Sequence, residues 1–285
     1  MAIDFQFKDS YTFEDLVHIV KILREPGGCP WDREQTHQSI RENFLEETYE
    51  VLEAIDTLNP ALMQEELGDV LLQVVLHADM ARDEDWFTIN QVCNDICQKL
   101  IIRHPHVFGD VSVSSTDDVL KNWDDIKRKT KKQGSQSEAM ASIPATYPAL
   151  MKAQKVQSKA KKAGFDWSDP QGAFDKVGEE AAELREALAS GDSAAIEDEL
   201  GDLLFSAVNV ARFCHCDAET ALEKATQKFM RRFTIVERLA TEKGIDMKNA
   251  PLSVLDALWD EAKLLDKCLI LHAEHGGGNN STFAV

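Results

Sequence analysis

Eight acids carry the chemistry this chain can do. Glu47 and Glu50 belong to an EExxE string (46–50), and Glu66 and Asp69 to an ELGD string (66–69). Glu180, Glu183, Glu199 and Asp202 repeat both strings in register, all four at one constant offset from their counterparts. Acids three residues apart share one face of a helix. Two helices joined by a short turn lie antiparallel, so their acidic pairs can converge four carboxylates on one point. An all-oxygen, strongly anionic cluster suits a hard divalent cation, Mg²⁺ first and Mn²⁺ second. A lone EExxE fits a solvated helix face better. Its pairing with ExxD in an apolar helix, repeated in register, tells against that plain reading. Glu46 and Glu179, the spare acids of the two strings, are candidates for a general base.

Other metals fit less well. A dinuclear-iron bundle needs ExxH on two helices, and the only ExxH here, Glu34 to His37, is unmatched in the second half. Cys214-His215-Cys216 lacks the second ligand pair of a structural zinc site.

Cations and tryptophans repeat as well. Lys99 and Arg103 recur in the second half as Lys228 and Arg232, i,i+4 pairs on the helix after the acids. In so acidic a protein, basic pairs kept in both copies fit phosphate contacts; the plain reading is surface ion pairing. Trp123 and Lys127 recur as Trp259 and Lys263, and Trp31 recurs at their shared offset as Trp167. A Trp–Lys pair at a helix end can stack a base and hold a phosphate, whereas the plain reading of tryptophan is core. The chain reads as a duplicated domain.

The elements that must position these residues are helices. With 14 Gly and 8 Pro in 285 residues, turn formers fall below the usual roughly 7% and 5%, which argues against a sandwich or barrel. Periodicity places helices near 12–25, 38–58, 61–83, 87–103 and 116–132, then 146–163, 172–189, 193–215, 218–243 and 252–272. Prolines stand outside or at the edges of these segments. Glu199, Asp202, Ser206 and Asn209 form a narrow polar strip through an otherwise apolar helix, as do Glu66, Asp69, Gln73 and His77. Such helices belong in a core, so the strips are expected to be partly buried. Helices this apolar need more partners than one half supplies, which leads to an expected homodimer. The expected organisation is an all-α fold of two tandem helical bundles. It comprises an N-terminal domain (1–133), a linker (134–147), a C-terminal domain (148–273) and a disordered Gly/Asn-rich tail (274–285).

Charge bounds the partners. Fifty acids against 31 bases leave a net charge of −19, which repels nucleic-acid backbones and anionic lipid. No stretch approaches the ~18 apolar residues of a membrane span. The N-terminus resembles no secretion signal, and six sparse cysteines fit a cytoplasmic protein.

Together these motifs resemble the MazG family of nucleoside triphosphate pyrophosphohydrolases, within the all-α NTP pyrophosphatase superfamily. The strings are GCPWDREQTH (28–37), LEETYEVLEAI (45–55), EELGDVLLQVV (65–75) and RHPHVFGD (103–110) in the first half. In the second they are PALMKAQKVQSKAKKAGFDW (148–167), DELGDLLFSAVNVAR (198–212) and KFMRRF (228–233). The resemblance implies a dimeric helical bundle that hydrolyses an NTP to the NMP and pyrophosphate with Mg²⁺. It implies metal ligands at Glu180, Glu183, Glu199 and Asp202, with Glu47, Glu50, Glu66 and Asp69 as the equivalent set. Lys176, Lys228, Arg231 and Arg232 would meet the phosphates, and Trp259 with Lys263 the rest of the nucleotide; Lys99, Arg103, Trp123 and Lys127 are the first-half equivalents. Gly178 departs from the pattern and is expected to weaken a helix start. Phosphoribosyl-ATP pyrophosphohydrolase shares this chemistry, and a catalytically idle nucleotide-binding regulator is the rival from another class. The second half is expected to carry most turnover: it has consecutive arginines, where the first has Arg103-His104-Pro105-His106.

Overall fold

The computed structural model describes residues 5–116, 118, 119, 122, 123, 126 and 135–276. Every regular element among them is a helix. The chain divides into two compact units, Met1–Lys131 and Lys132–Val285.

The first unit holds α1 (Phe13–Arg24), α2 (Pro30–Glu34), α3 (Arg41–Asp56), α4 (Pro60–Asp83), α5 (Ile89–Arg103) and α6 (Pro105–Phe108). Local chemistry sets their starts. Thr12 and Asp15 close a capping box on α1, and Thr88 and Gln91 close one on α5. Asn59 caps α4, with Pro60 at its first position. Val20 of α1, Ile40 before α3, and Val75, Leu76 and Met80 of α4 form the core. The long α3 packs along α4, which places Glu47 and Glu50 beside Glu66 and Asp69.

The second unit holds α7 (Gln136–Ala141), α8 (Ala149–Lys162), α9 (Pro170–Ser190), α10 (Ser193–Phe213), α11 (Ala218–Glu242) and α12 (Leu252–Gly276). Asp169 caps α9, and Trp167 folds back over its first turn. A Cβ on Gly172 would fall 2.3 Å from the Trp167 ring, so glycine is needed there. Gly191 ends α9 at φ 72° and Asp192 caps α10. The two helices pack side by side, as α3 and α4 do. Ile235, Val236, Leu239 and Ala240 of α11 pack against Leu258 and Ala262 of α12 to form a core cluster.

The long helices lie where periodicity puts them, with differences at their ends. The segment expected to begin at 38 is a turn until Arg41, because Thr36 and Ser39 exchange side-chain hydrogen bonds with each other's backbone N–H. The helices α2, α6 and α7 have four to six residues, too few to show a period. The stretch read as a linker, 134–147, contains α7, capped by Ser135. The start of the tail, 274–276, is the last part of α12, and 277–285 lie outside the described residues. Of the helix expected over 116–132, only positions 116, 118, 119, 122, 123 and 126 are described, and all six are helical.

One expectation needs correction. Gly178 does not sit at a helix start: it stands inside α9, two turns beyond Pro170, where an added Cβ would meet nothing. The polar strips are partly buried as expected, and the apolar helices that carry them keep exposed apolar residues. Glu66, Gln73, Ser206 and Asn209 are buried, but Leu67, Leu71, Leu200, Leu204 and Phe205 are exposed.

Candidate metal centre and nucleotide site

The repeated acids converge twice. Glu47, Glu66 and Asp69 each bring a carboxylate oxygen within 4.8 Å of the other two, and Glu180, Glu199 and Asp202 do the same. The fourth acid of each set adjoins its cluster: Glu50 lies against Glu47 and Glu66, and Glu183 against Glu180. Carboxyl groups crowded this closely raise one another's affinity for protons.

The two clusters differ in charge balance. In the first, burial and then the neighbouring carboxylates Asp69 and Glu50 push Glu47 above the usual range. Burial and then Glu50 do the same to Glu66. In the second, Lys176 reaches one turn along α9 and donates to Glu180 at 2.5 Å and to Glu179 at 2.8 Å. The bond from Lys176 holds the Glu180 carboxyl below its ordinary value, while the adjoining Glu180 holds Glu183 above it. The ammonium of Lys176 is itself pushed up by the two glutamates.

The second cluster also fits a cation by what it leaves unsatisfied. Glu180 is 4% exposed, and its Oε2 is buried with no hydrogen-bond partner. A buried acceptor left bare is costly, and a hard cation beside Glu199 and Asp202 would complete it. Glu46 and Glu179 stand on the exposed sides of α3 and α9.

Apart from Lys176, the expected phosphate and base contacts of the second unit sit on a separate helix pair, α11 and α12. Lys228 is exposed. Arg231 and Arg232 both turn to Asp266 of α12, a residue with no exposed surface. Arg231 Nε donates to Asp266 Oδ1 at 2.5 Å, and Arg232 Nε donates to Oδ2 at 2.9 Å. Those two guanidinium groups hold the Asp266 carboxyl down at about 2. Trp259 is half-buried, its ring 5.1 Å from that of Phe229, and Lys263 pairs with Asp260 at 2.7 Å. In the first unit Lys99 is exposed, Arg103 ends α5, and His104 meets Trp123 edge-on at 5.5 Å. Lys127 lies outside the described residues.

Asp266 was not among the expected site residues. Its signal is an acid on the buried stripe of α12, at i, i+4 and i+8 with Leu258 and Ala262.

The MazG nucleotide pyrophosphohydrolase domain matches the chain twice, over residues 35–108 and 170–236. The nucleoside triphosphate pyrophosphohydrolase/pyrophosphatase MazG of Thermotoga maritima is 47% identical over 251 residues, which are 88% of this chain and 95% of that protein. A nucleoside triphosphate pyrophosphohydrolase of Escherichia coli is 44% identical over 253 residues, 87% of this chain and 95% of its own. The chain belongs to the MazG family. Its first MazG domain contains Glu47, Glu50, Glu66 and Asp69, and its second contains Lys176, the four corresponding acids and Lys228 to Arg232. Trp259, Lys263 and Asp266 lie beyond the second match.

Proposed function

We propose that this MazG protein hydrolyses nucleoside triphosphates to the nucleoside monophosphate and pyrophosphate, with Mg²⁺ as cofactor, chiefly through its second domain. The observation that carries the reading is the three-acid convergence of Glu180, Glu199 and Asp202 around a buried acceptor with no partner. Glu180, Glu183, Glu199 and Asp202 would hold the metal, and Mn²⁺ suits the same oxygen donors. Bound there, Mg²⁺ supplies Lewis-acid charge neutralisation at the phosphoryl oxygens.

The remaining work falls to side chains of the chain itself. Water adds at the α-phosphorus, the bond from that phosphorus to the α,β-bridging oxygen breaks, and pyrophosphate leaves. Glu179 stands beside Glu180 to accept the water proton, and it exchanges its hydrogen bond from Lys176 as it does so. Lys176, freed from its glutamates, donates to a phosphate oxygen. Lys228, Arg231 and Arg232 neutralise the polyphosphate, and Trp259 with Lys263 meets the nucleoside side. The first cluster, with Lys99, Arg103, Trp123 and Lys127, serves structure, regulation or a second nucleotide preference.

Assembly and location complete the reading. Leu200, Leu204 and Phe205 on α10, with Leu67 and Leu71 on α4, are exposed apolar faces, and a second copy of the chain covers them in a homodimer. A net charge of −19 disfavours nucleic acid and anionic membranes as partners. No described helix is long and apolar enough to cross a membrane. Six sparse cysteines suit the reducing cytoplasm. Product analysis with each NTP and Mg²⁺ tests the activity. Pyrophosphate with NMP is the expected outcome; orthophosphate with NDP would overturn it.

A further inference from the structure

Asp266 of α12 has no exposed surface, yet two arginines of α11 converge on it. An ordinary structural ion pair sets one cation against one anion. Here one carboxylate faces two guanidinium groups, which leaves an unbalanced positive charge in a chain of net charge −19. The side chains of Arg231 and Arg232 are 47% and 23% exposed, while that of the acid is 1% exposed. The acid lies beneath the arginines, and the surplus charge is on the side that meets water.

The bonds themselves decide what the arginines have left to offer. Asp266 Oδ1 accepts from Arg231 Nε at 2.5 Å. Its Oδ2 accepts from Arg231 Nη2 at 3.3 Å and from Arg232 Nε at 2.9 Å. Arg231 is gripped along one edge and keeps Nη1 for another partner. Arg232 is gripped through Nε alone, and its terminal nitrogens make no hydrogen bond among the described residues. Lys228 stands one turn before Arg232 on the same side of α11, exposed and without an ion pair among the described residues. On α12, Trp259, Lys263 and Asp266 follow one another at i, i+4 and i+7, so the acid shares a face with the side chains assigned to the nucleoside.

Such an arrangement prepares arginines for an anion. A free arginine on a helix surface samples many rotamers, and fixing it on a phosphate costs conformational entropy. A buried carboxylate that already holds Nε fixes the plane of the fork beforehand and leaves the opposite edge to donate. Two arginines on that one acid remain cationic as a group. Asp266 is held down at about 2 by the arginines, so it is an anion throughout the neutral range. The first half of the repeat lacks both parts: Ile102 stands in the place of Arg231 and Thr130 in the place of Asp266.

We propose that Asp266 is a positioning residue for phosphate recognition, holding Arg231 and Arg232 by Nε so that their free terminal N–H groups donate to polyphosphate oxygens. Asp266 itself touches no substrate, and its bonds to both Nε atoms persist when the anion binds. Lys228 completes the row of donors. This role rests on the pyrophosphohydrolase reading for the identity of the anion, and it belongs to the second domain alone.

The test is a double-substitution cycle in the full chain: Asp266→Asn, Arg232→Gln, and both together, each verified as folded. Calorimetry reads the affinity for inorganic pyrophosphate with Mg²⁺, and kinetics read kcat and KM for NTP. Arg232→Gln is expected to weaken pyrophosphate binding about tenfold, and Asp266→Asn to weaken it nearly as much. Within Asp266→Asn, the further change Arg232→Gln is expected to cost only about twofold, because the arginine is no longer held. Asp266→Glu returns a carboxylate to the pair and is expected to recover most of the affinity. The loss in Asp266→Asn should fall on KM more than on kcat, with the shape of the pH profile unchanged, because Asp266 moves no proton. A merely structural tie between α11 and α12 would lower the melting temperature without coupling to Arg232. Independent losses in the cycle, or parental pyrophosphate affinity in folded Asp266→Asn, would overturn the proposal.

Should Asp266→Asn fail to fold, the parent answers by NMR of its arginine side chains. The Nε–H resonances of Arg231 and Arg232 are expected to hold their positions when Mg²⁺ and pyrophosphate are added, while the terminal N–H resonances shift. Displaced Nε–H resonances, or no response from either arginine, would overturn it. If the parent releases no pyrophosphate from any NTP yet shows the coupling in pyrophosphate binding, the activity falls and the positioning role stands. If it releases pyrophosphate and the losses are independent, the positioning role falls alone.

Discussion

The ammonium of Lys176 lies 2.5 Å from Glu180 Oε1, and the residue in its place in the first half of the repeat is Asn43. One residue thus separates two clusters built from the same acids. With a cation at hand, Glu180 stays ionised more readily than a free glutamate; without one, Glu47 and Glu66 hold their protons more tightly. Glu180 and the first cluster are therefore expected to respond in opposite senses to pH and to neutral substitutions.

For the first cluster the sign is unfavourable at neutral pH. A carboxyl whose folded pKa is raised loses stability as pH climbs through its ordinary value, about 4.3 for glutamate. Glu66→Gln is expected to raise the melting temperature at pH 7 in EDTA, with the gain disappearing by about pH 4. Millimolar Mg²⁺ should stabilise the parent more than the variant. Thermal melts at both pH values, with and without Mg²⁺, check this.

The second cluster carries the opposite sign at Glu180. A depressed carboxyl contributes stability above its ordinary value and loses it as pH falls toward the folded value. Lys176→Met is expected to lower the melting temperature at pH 7 in EDTA, and the deficit should close below about pH 4. A deficit that persisted at low pH would mean that Lys176 stabilises through packing.

The turn between the acidic helices is a second asymmetry. Leu58 holds the place in the first half that Gly191 holds in the second, and both adopt positive φ, 51° and 72°. A left-handed conformation costs a side-chain-bearing residue about 1–2 kcal/mol that glycine avoids. Leu58 is 86% exposed, so little packing offsets that cost. Leu58→Gly is expected to stabilise the first unit by about 1 kcal/mol, a rise of about 2–4 °C. Differential scanning calorimetry reads it directly.

Asp266 ties α11 to α12 through two arginines and titrates near 2. Its contribution is present above the ordinary aspartate value of about 3.9 and is lost as pH falls through about 2. Asp266→Asn is expected to unfold more readily at pH 7, with its difference from the parent shrinking between about pH 4 and pH 2. Chemical denaturation across that window tests it.

The architecture was legible because helical periodicity, proline placement and a constant offset between repeated acids are local or additive signals. Glu47, Glu66 and Asp69 could be seen to converge, as could Glu180, Glu199 and Asp202, because a short turn and an i,i+3 spacing suffice to bring them together. What escaped was pairing between elements. Nothing near Arg231 and Arg232 indicates that both turn to Asp266 on another helix. The apolar surround of the polar strips indicated more packing partners than one unit supplies, and Leu200 and Leu204 are exposed. Periodicity identifies an apolar face without identifying what covers it.

The central claim is that the Glu180, Glu183, Glu199 and Asp202 cluster is the hydrolytic centre and that its first-half counterpart is not. The direct measurement is the rate of pyrophosphate release from NTP, with Mg²⁺, for Glu183→Ala and Glu50→Ala, each verified as folded. Removing a metal ligand from a hydrolytic centre is expected to reduce kcat on the order of a hundredfold or more. Glu183→Ala should show that loss, and Glu50→Ala should stay within a few-fold of the parent. Equal losses, or a larger loss from Glu50→Ala, would contradict the account.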